Sequence, residues 1–243
     1  ARNCALIMRA ALIPILFGKR NDPDVAAWLV RVALAGGTVA PSTVVAVNRF
    51  VRTAKTNGTW GLFTRLNLVC GDFLASFVPL VILDGSANDT NVNLISADYS
   101  EGLGWQTDGI TKHVNTGIAP SAATGHLAAY LRTTQASDTT VRTLMGCRDT
   151  ALNQIYGLRG NISGGVTTAG AVTGYWGVSA ALNGAALGSG GLTAGFWQAN
   201  RSSSTSCDLL NTGAVVASNA TSGVPAANGA SLRVMANDSQ GTI

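Results

Sequence analysis

From Asp84-Gly85 onward this chain is written in short runs of β-prone residues broken by Gly, Ser, Thr and Asn, which fits an antiparallel sandwich or barrel. Charge nearly vanishes over the same stretch: beyond residue 150 the charged residues are Arg159, Arg201, Asp208, Arg233 and Asp238. A chain of 243 residues that is 47% apolar and 12% charged buries too much apolar surface to remain a solvated coil, so a sizeable core is expected. Expected strands cover residues 113–115, 127–133, 142–146, 154–159, 175–182, 194–201 and 231–236. The most specific local signal is a hairpin, residues 207–210 and 214–218 joined by Asn211-Thr212-Gly213, because Gly in the left-handed position closes a three-residue hairpin loop. The glycine-rich stretches 164–174 and 184–191 recur without a fixed period and read as loops and tight bends.

A helical hairpin is expected ahead of the sheets. Asp22-Pro23-Asp24 marks a start: Asp22 can cap, Pro23 suits the first turn and Asp24 favours the helix dipole. Val25, Trp28, Leu29 and Val32 then fall on one face, and Gly36-Gly37 ends the helix. A second helix starts near Pro41-Ser42, buries Val47, Phe50, Val51 and Ala54, and ends at Asn57-Gly58. The run from Val78 to Leu83 is expected to lead into the sandwich, since Pro79 is hostile to a helix interior.

Before Asp22 lies an apolar stretch, Cys4 to Phe17, followed by Gly18-Lys19-Arg20. It is too short to span a bilayer as a helix and lacks a small-x-small cleavage pattern, so neither a membrane span nor a signal peptide is expected. Leu6, Ile7, Leu12, Ile15 and Phe17 would be a liability in water. The preferred reading is an arm that buries these side chains against a partner subunit; packing on its own domain is the alternative. The expected organisation is thus an arm over residues 1–21, a helical preface over 22–83 and a sandwich over 84–243.

Reactive chemistry has little support. Glu101 is the only glutamate, and His113 and His126 are the only histidines. The four cysteines, Cys4, Cys70, Cys147 and Cys207, form no CxxC pair or Cys/His cluster with zinc spacing, so no metal site is expected and free thiols are preferred over disulfides. Asp98, Glu101 and Asp108 form a loose acidic set without calcium-loop spacing, and no G-x-S-x-G motif supports a Ser/His/Asp nucleophile. Pairing Glu101 with Asp98 or Asp108 as glycosidase carboxyls has no support from spacing. No catalytic residue and no cofactor is expected. The +4 formal charge comes from scattered arginines rather than a basic run interleaved with aromatics, which argues against nucleic acid as a partner. Tyr99 and Trp105 are candidates for stacking on a sugar ring, though aromatics of this kind serve equally well as core. Alternation puts Phe196 and Trp197 on opposite faces of their strand, so at most one points into the sandwich.

The segments Asp22 to Trp28, Gly36-Gly37-Thr38-Val39, Ala46 to Phe50 and Arg65 to Leu68 resemble the helical preface of a family of phage-encoded structural proteins. Asp108 to Gly117, His126 to Tyr130 and Phe196 to Arg201 resemble the concanavalin-like or laminin-G-like jelly roll that follows it. The resemblance spans roughly residues 22–240 and implies an antiparallel jelly-roll β-sandwich preceded by a small helical hairpin. It implies a non-enzymatic component of the outer surface of a virion, either head decoration or tail and fibre. Its partners would be other capsid or tail subunits and further copies of itself. The alternative is a carbohydrate-binding module for host-surface glycans. Members of that family continue into one more strand and a terminal helix, so a sheet edge covered by another chain, or a partial sequence, is also expected.

Overall fold

The computed structural model describes residues 21–243 except 83–84, 86, 109–110, 121–124, 136, 138–141, 150–153, 164–165, 180–184, 188–190, 204–205, 221–229, 236 and 240–243. The arm residues Leu6, Ile7, Leu12, Ile15 and Phe17 lie outside the described residues. Two helices, α1 (Pro23–Leu34) and α2 (Pro41–Thr56), precede a series of strands. These are β1 (Arg65–Leu66), β2 (Val81–Ile82), β3 (Thr90–Val92), β4 (Tyr99–Ser100), β5 (Gly104–Trp105), β6 (His113–Asn115), β7 (Gly125–Leu131) and β8 (Arg142–Asp149). They continue with β9 (Gln154–Ser163), β10 (Val166–Ser179), β11 (Ala185–Leu187), β12 (Gly195–Ser203), β13 (Ser206–Asn211), β14 (Ala214–Asn219), β15 (Arg233–Val234) and β16 (Asn237–Ser239).

The helices begin and end where their capping residues place them. The Asp22 side chain accepts from the Asp24 N–H, with Pro23 in the first turn. Both helices close with paired bonds back into their last turn: Gly37 N–H to Val32 and Gly36 N–H to Ala33, then Thr59 N–H to Ala54 and Gly58 N–H to Lys55. Val25, Trp28, Leu29 and Val32 of α1 pack with Val44, Val47 and Val51 of α2 and with Ala75, Val78 and Leu80. Each such side chain taken out of water contributes about 1.5–3 kcal/mol. Polar groups fix the register of this packing: the Trp28 indole donates to the Val78 carbonyl at 2.9 Å, and Arg31 donates to the carbonyls of Pro79 and Leu80, both at 3.0 Å. The segment expected to enter the sandwich therefore stays with the helices, where β2 pairs with β1 in a two-stranded ribbon.

The chain divides into two compact units, residues up to 89 with 95–106, and residues 90–94 with 107 onward. This differs from a boundary at residue 84. β4 and β5 belong to the helical unit, because Tyr99 and Trp105 pack on and hydrogen-bond to its loop 69–77, while β3 pairs with β6 in the second unit.

The second unit is an antiparallel β-sandwich. Its larger sheet runs β11-β10-β9-β8-β15-β6-β3, with β16 added parallel to β8, and its smaller sheet runs β14-β13-β12-β7. Leu144, Tyr156, Leu158 and Val172 from the large sheet meet Leu127, Trp197, Ala199 and Leu209 from the small one in a single core. The hairpin at 207–218 forms as expected, and Trp197 points inward while Phe196 is exposed.

The glycine-rich stretch 164–174 is a correction: most of it belongs to the long strand β10. Between the pairs Ile162–Thr167 and Gly160–Val172 the ladder slips, and the Asn161 side chain accepts the Gly170 N–H at 2.9 Å inside the bulge. At Gly174 a Cβ would sit 3.0 Å from the Ala199 Cβ and 3.2 Å from Leu209 Cδ1, so this glycine admits side chains of the opposite sheet.

Candidate interaction surface on the helical unit

The acidic residues, which a catalytic or calcium-binding reading would need, serve as local braces. Glu101 accepts from the Thr43 hydroxyl at 2.7 Å and from the Gly71 N–H at 2.8 Å, tying α2 to the loop before Phe73. Asp72 accepts from the Thr38 N–H and hydroxyl and from the Ala75 N–H. Asp98 accepts the Ile95 N–H within its own turn, and in the other unit Asp108 accepts the N–H groups of Thr111 and Lys112. Asp89 is buried with Arg65, whose guanidinium it meets through one carboxylate oxygen while Asn67 donates to the other at 2.6 Å. Among the described residues no group of three or more His, Cys, Asp and Glu is gathered as a metal site.

Cys147 and Cys207 are fully buried in the sandwich and Cys70 is partly buried, none of the three in a disulfide; Cys4 lies outside the described residues. Burial, reinforced by Glu101, pushes the Cys70 thiol up to about 12, so it stays protonated at neutral pH. His126 is held below the ordinary histidine value by burial, which disfavours the charged imidazole.

Tyr99 and Trp105 face each other across β4 and β5. The Tyr99 hydroxyl donates to the Gly71 carbonyl at 2.9 Å, and the Trp105 indole donates to the Ser76 hydroxyl at 2.9 Å. Their rings join a continuous aromatic row: Tyr99 lies 6.4 Å from Phe73, Phe73 meets Phe77 edge-on at 5.1 Å, and Phe77 stacks on Trp105 at 5.5 Å with planes 13° apart. Both residues are half-buried, and their polar atoms are engaged within the unit.

The surface that the sequence did not single out lies on α2. Its buried stripe is Val44, Val47, Asn48, Val51 and Ala54, and Phe50, expected on that stripe, is instead 38% exposed at its flank. Helical spacing places Phe50 between two stripes: it lies three and four residues from buried Val47 and Ala54, and equally from Thr53 and Ala46 of a second stripe that continues through Ser42, Val45 and Arg49. Val45 is 69% exposed. Phe50 packs edge-on to Trp60 at 6.5 Å and lies 6.4 Å from Phe63, which meets Trp60 at 6.0 Å. Leu62, beside them in sequence, is 78% exposed. Two shallow concavities lie along the stripe, one running from Ser42 to Thr53 and the other reaching Asn21 and Arg52.

Arg49, Arg52 and Lys55 are the basic residues of α2, and Asp22 and Asp24 lie at the start of α1. Lys55 bridges both acids, at 2.6 and 2.7 Å, and lies 5.8 Å from the Trp60 ring centroid. Burial works against ionising Asp22, but the bonds from Lys55 and from the Asp24 N–H outweigh it and hold its pKa below the usual value. No acidic residue lies on α2 at all. An apolar Val45 off the buried stripe is the signal in the sequence that would have located this face. No helix among the described residues is long and apolar enough to cross a membrane. No family model, curated protein or solved structure matches this chain.

Proposed function

We propose that this chain is a non-enzymatic structural subunit of a phage particle, a head decoration or a tail or fibre component. Its helical unit docks on another virion subunit, and its sandwich, a jelly roll of the concanavalin or laminin-G type, is displayed on the outer surface. The observation that carries this reading is the second, outward stripe of α2, where Val45 and Phe50 are exposed beside an exposed Leu62. The antiparallel sandwich and the sequence resemblance over residues 22–240 support the same role, as does the use of Glu101, Asp72 and Asp89 as braces rather than as reactive groups. The arm with Leu6, Ile7, Leu12, Ile15 and Phe17 supplies further apolar anchoring. Repetition of the subunit on a symmetric particle multiplies modest affinities.

The test is mass spectrometry and immunogold labelling of particles purified from the host that encodes the chain, with a variant lacking residues 1–20 supplied in trans. The full chain is expected at fixed positions on the particle, and the shortened chain is expected to fold but not incorporate. Absence from purified particles overturns the reading, and normal incorporation of the shortened chain removes the arm as anchor.

The half-buried Tyr99 and Trp105, at the two ends of the aromatic row, are the candidates for one further role, recognition of host glycans by stacking. A glycan array probed with the multivalently displayed chain is expected to give binding that Trp105→Ala abolishes. An array without signal removes this role.

A further inference from the structure

We propose that β7 is a dimer interface, where two copies of this chain pair their β7 strands antiparallel and join their small sheets across a twofold axis. This inference stands on the sandwich alone and does not depend on docking of the helical unit. β7 ends the small sheet, and among the described residues no backbone hydrogen bond reaches 125–131 except those of the ladder to β12. A row of unpaired N–H and C=O groups on such an edge is a template for another strand unless something blunts it. The other ends of the two sheets are blunted: β3 and β11 have three residues each, and β14 is kinked by an extra residue, Val216, where its ladder to β13 slips. β7 has none of these devices. Its seven residues pair with β12 in unbroken register, and they include no proline and no Asp, Glu, Lys or Arg.

The occupant is a second copy because this edge is complementary to itself. Side chains directly opposite in an antiparallel ladder share a face, and a twofold centred on Ala128 keeps that match while pairing the whole of Gly125–Leu131. Leu127 and Leu131, buried in the core, then continue the inner row with the partner's Ala129 and the partner's Gly125. On the outer face Tyr130 stands opposite the partner's His126. Tyr130 is 70% exposed beside Phe196 of β12, itself 41% exposed, so the pairing gives an exposed aromatic a cross-strand neighbour. Charge agrees with self-pairing: the strand carries none, and Arg132, next beyond it, falls at opposite ends of the two paired strands. Both copies consume the same edge, so the assembly closes at two instead of growing.

Sedimentation equilibrium of the full chain is expected to give a dimer at micromolar concentration. Ala128→Lys and Ala128→Glu each set like charges face to face at the axis, and each variant is expected to be a monomer. Their equimolar mixture is expected to return to a dimer, because lysine then faces glutamate. Amide hydrogen exchange of the unaltered chain supplies a reading that no folding failure of a variant can confound: residues 125–131 are expected to slow as concentration rises through the dimer range, while β14 stays unchanged. A monomer up to millimolar concentration overturns the proposal, as does a species larger than a dimer or a dimer indifferent to both substitutions. So does a mixture that stays monomeric although both variants keep the circular dichroism of the parent. Exchange at 125–131 that is independent of concentration also overturns it, and is the result expected if another protein's strand, or residues 1–20 of the same chain, occupies this edge.

Discussion

Three glycine-to-alanine changes in the helical unit separate backbone strain from crowding. Gly58 has φ +71° and nothing within 4 Å of a built Cβ, so Gly58→Ala should cost only the left-handed strain, about 1 kcal/mol. At Gly37, where φ is not in the left-handed region, the new Cβ would lie 2.6 Å from the Ala75 nitrogen. That neighbour is backbone and cannot swing away, so Gly37→Ala should cost about 1–3 kcal/mol as overpacking. Gly71 combines both, with φ +86° and a Cβ 2.7 Å from the Ala75 Cβ and 2.8 Å from the Thr38 oxygen, giving a sum of about 2–4 kcal/mol. Amide hydrogen exchange of α1 and α2 reads the opening free energy of this unit without requiring the whole chain to unfold in one step. The expected order of lost protection is Gly58→Ala least, Gly37→Ala intermediate and Gly71→Ala greatest. Equal losses at all three would refute the argument that close approach to Ala75 holds the 71–77 loop against the helices.

Asp89→Ala should cost about 3–5 kcal/mol, because it leaves the Arg65 guanidinium buried without its carboxylate; denaturant titration of the helical unit checks this, and pairing it with Arg65→Met should recover much of the loss. The depressed Asp22 pKa means that the Lys55 contact stabilises above the ordinary aspartate value near 3.8 and is lost as pH falls through the lower folded value. A melting series on acidification should show this loss, and Asp22→Asn should flatten it. In the native protein at pH 8, iodoacetamide should leave Cys70, Cys147 and Cys207 unmodified, as read by peptide mapping, while denaturation exposes all three. Tyr99→Phe should lower the stability of the helical unit by about 1 kcal/mol through loss of the bond to Gly71, measured by the same exchange experiment.

The helices were legible because their ends are spelled out in local chemistry: Asp22-Pro23 at one start, Pro41 at the other, and a glycine just past each end. The inward face of α1 followed directly from spacing. On α2 the same reasoning placed Phe50 inside, since a helix with apolar residues on two sides offers no internal cue to which side the core takes. The 207–218 hairpin was legible for a similar local reason. Residues 164–174 were not, because their glycines answer to Asn161, Ala199 and Leu209 on other strands, which composition alone cannot display. Of the interaction surface, the apolar Val45 off the buried stripe was present in the sequence, but the aromatic triad of Phe50, Trp60 and Phe63 emerges only when the turn after α2 folds back.

In the large sheet, β15 lies between β6 and β8 and is what joins β3 and β6 to the remaining strands. Residues 233–234 therefore hold together partners synthesised far earlier: Val234 pairs with Val114 on one side and Met145 on the other. On a ribosome the β3–β6 pair must wait, with its edge unjoined, until more than a hundred further residues have emerged. Such distant closure slows folding and lengthens the exposure of unpaired strands. The helical unit has no such dependence, as all its pairings lie within the first 106 residues, so it can form while the sandwich is still being made.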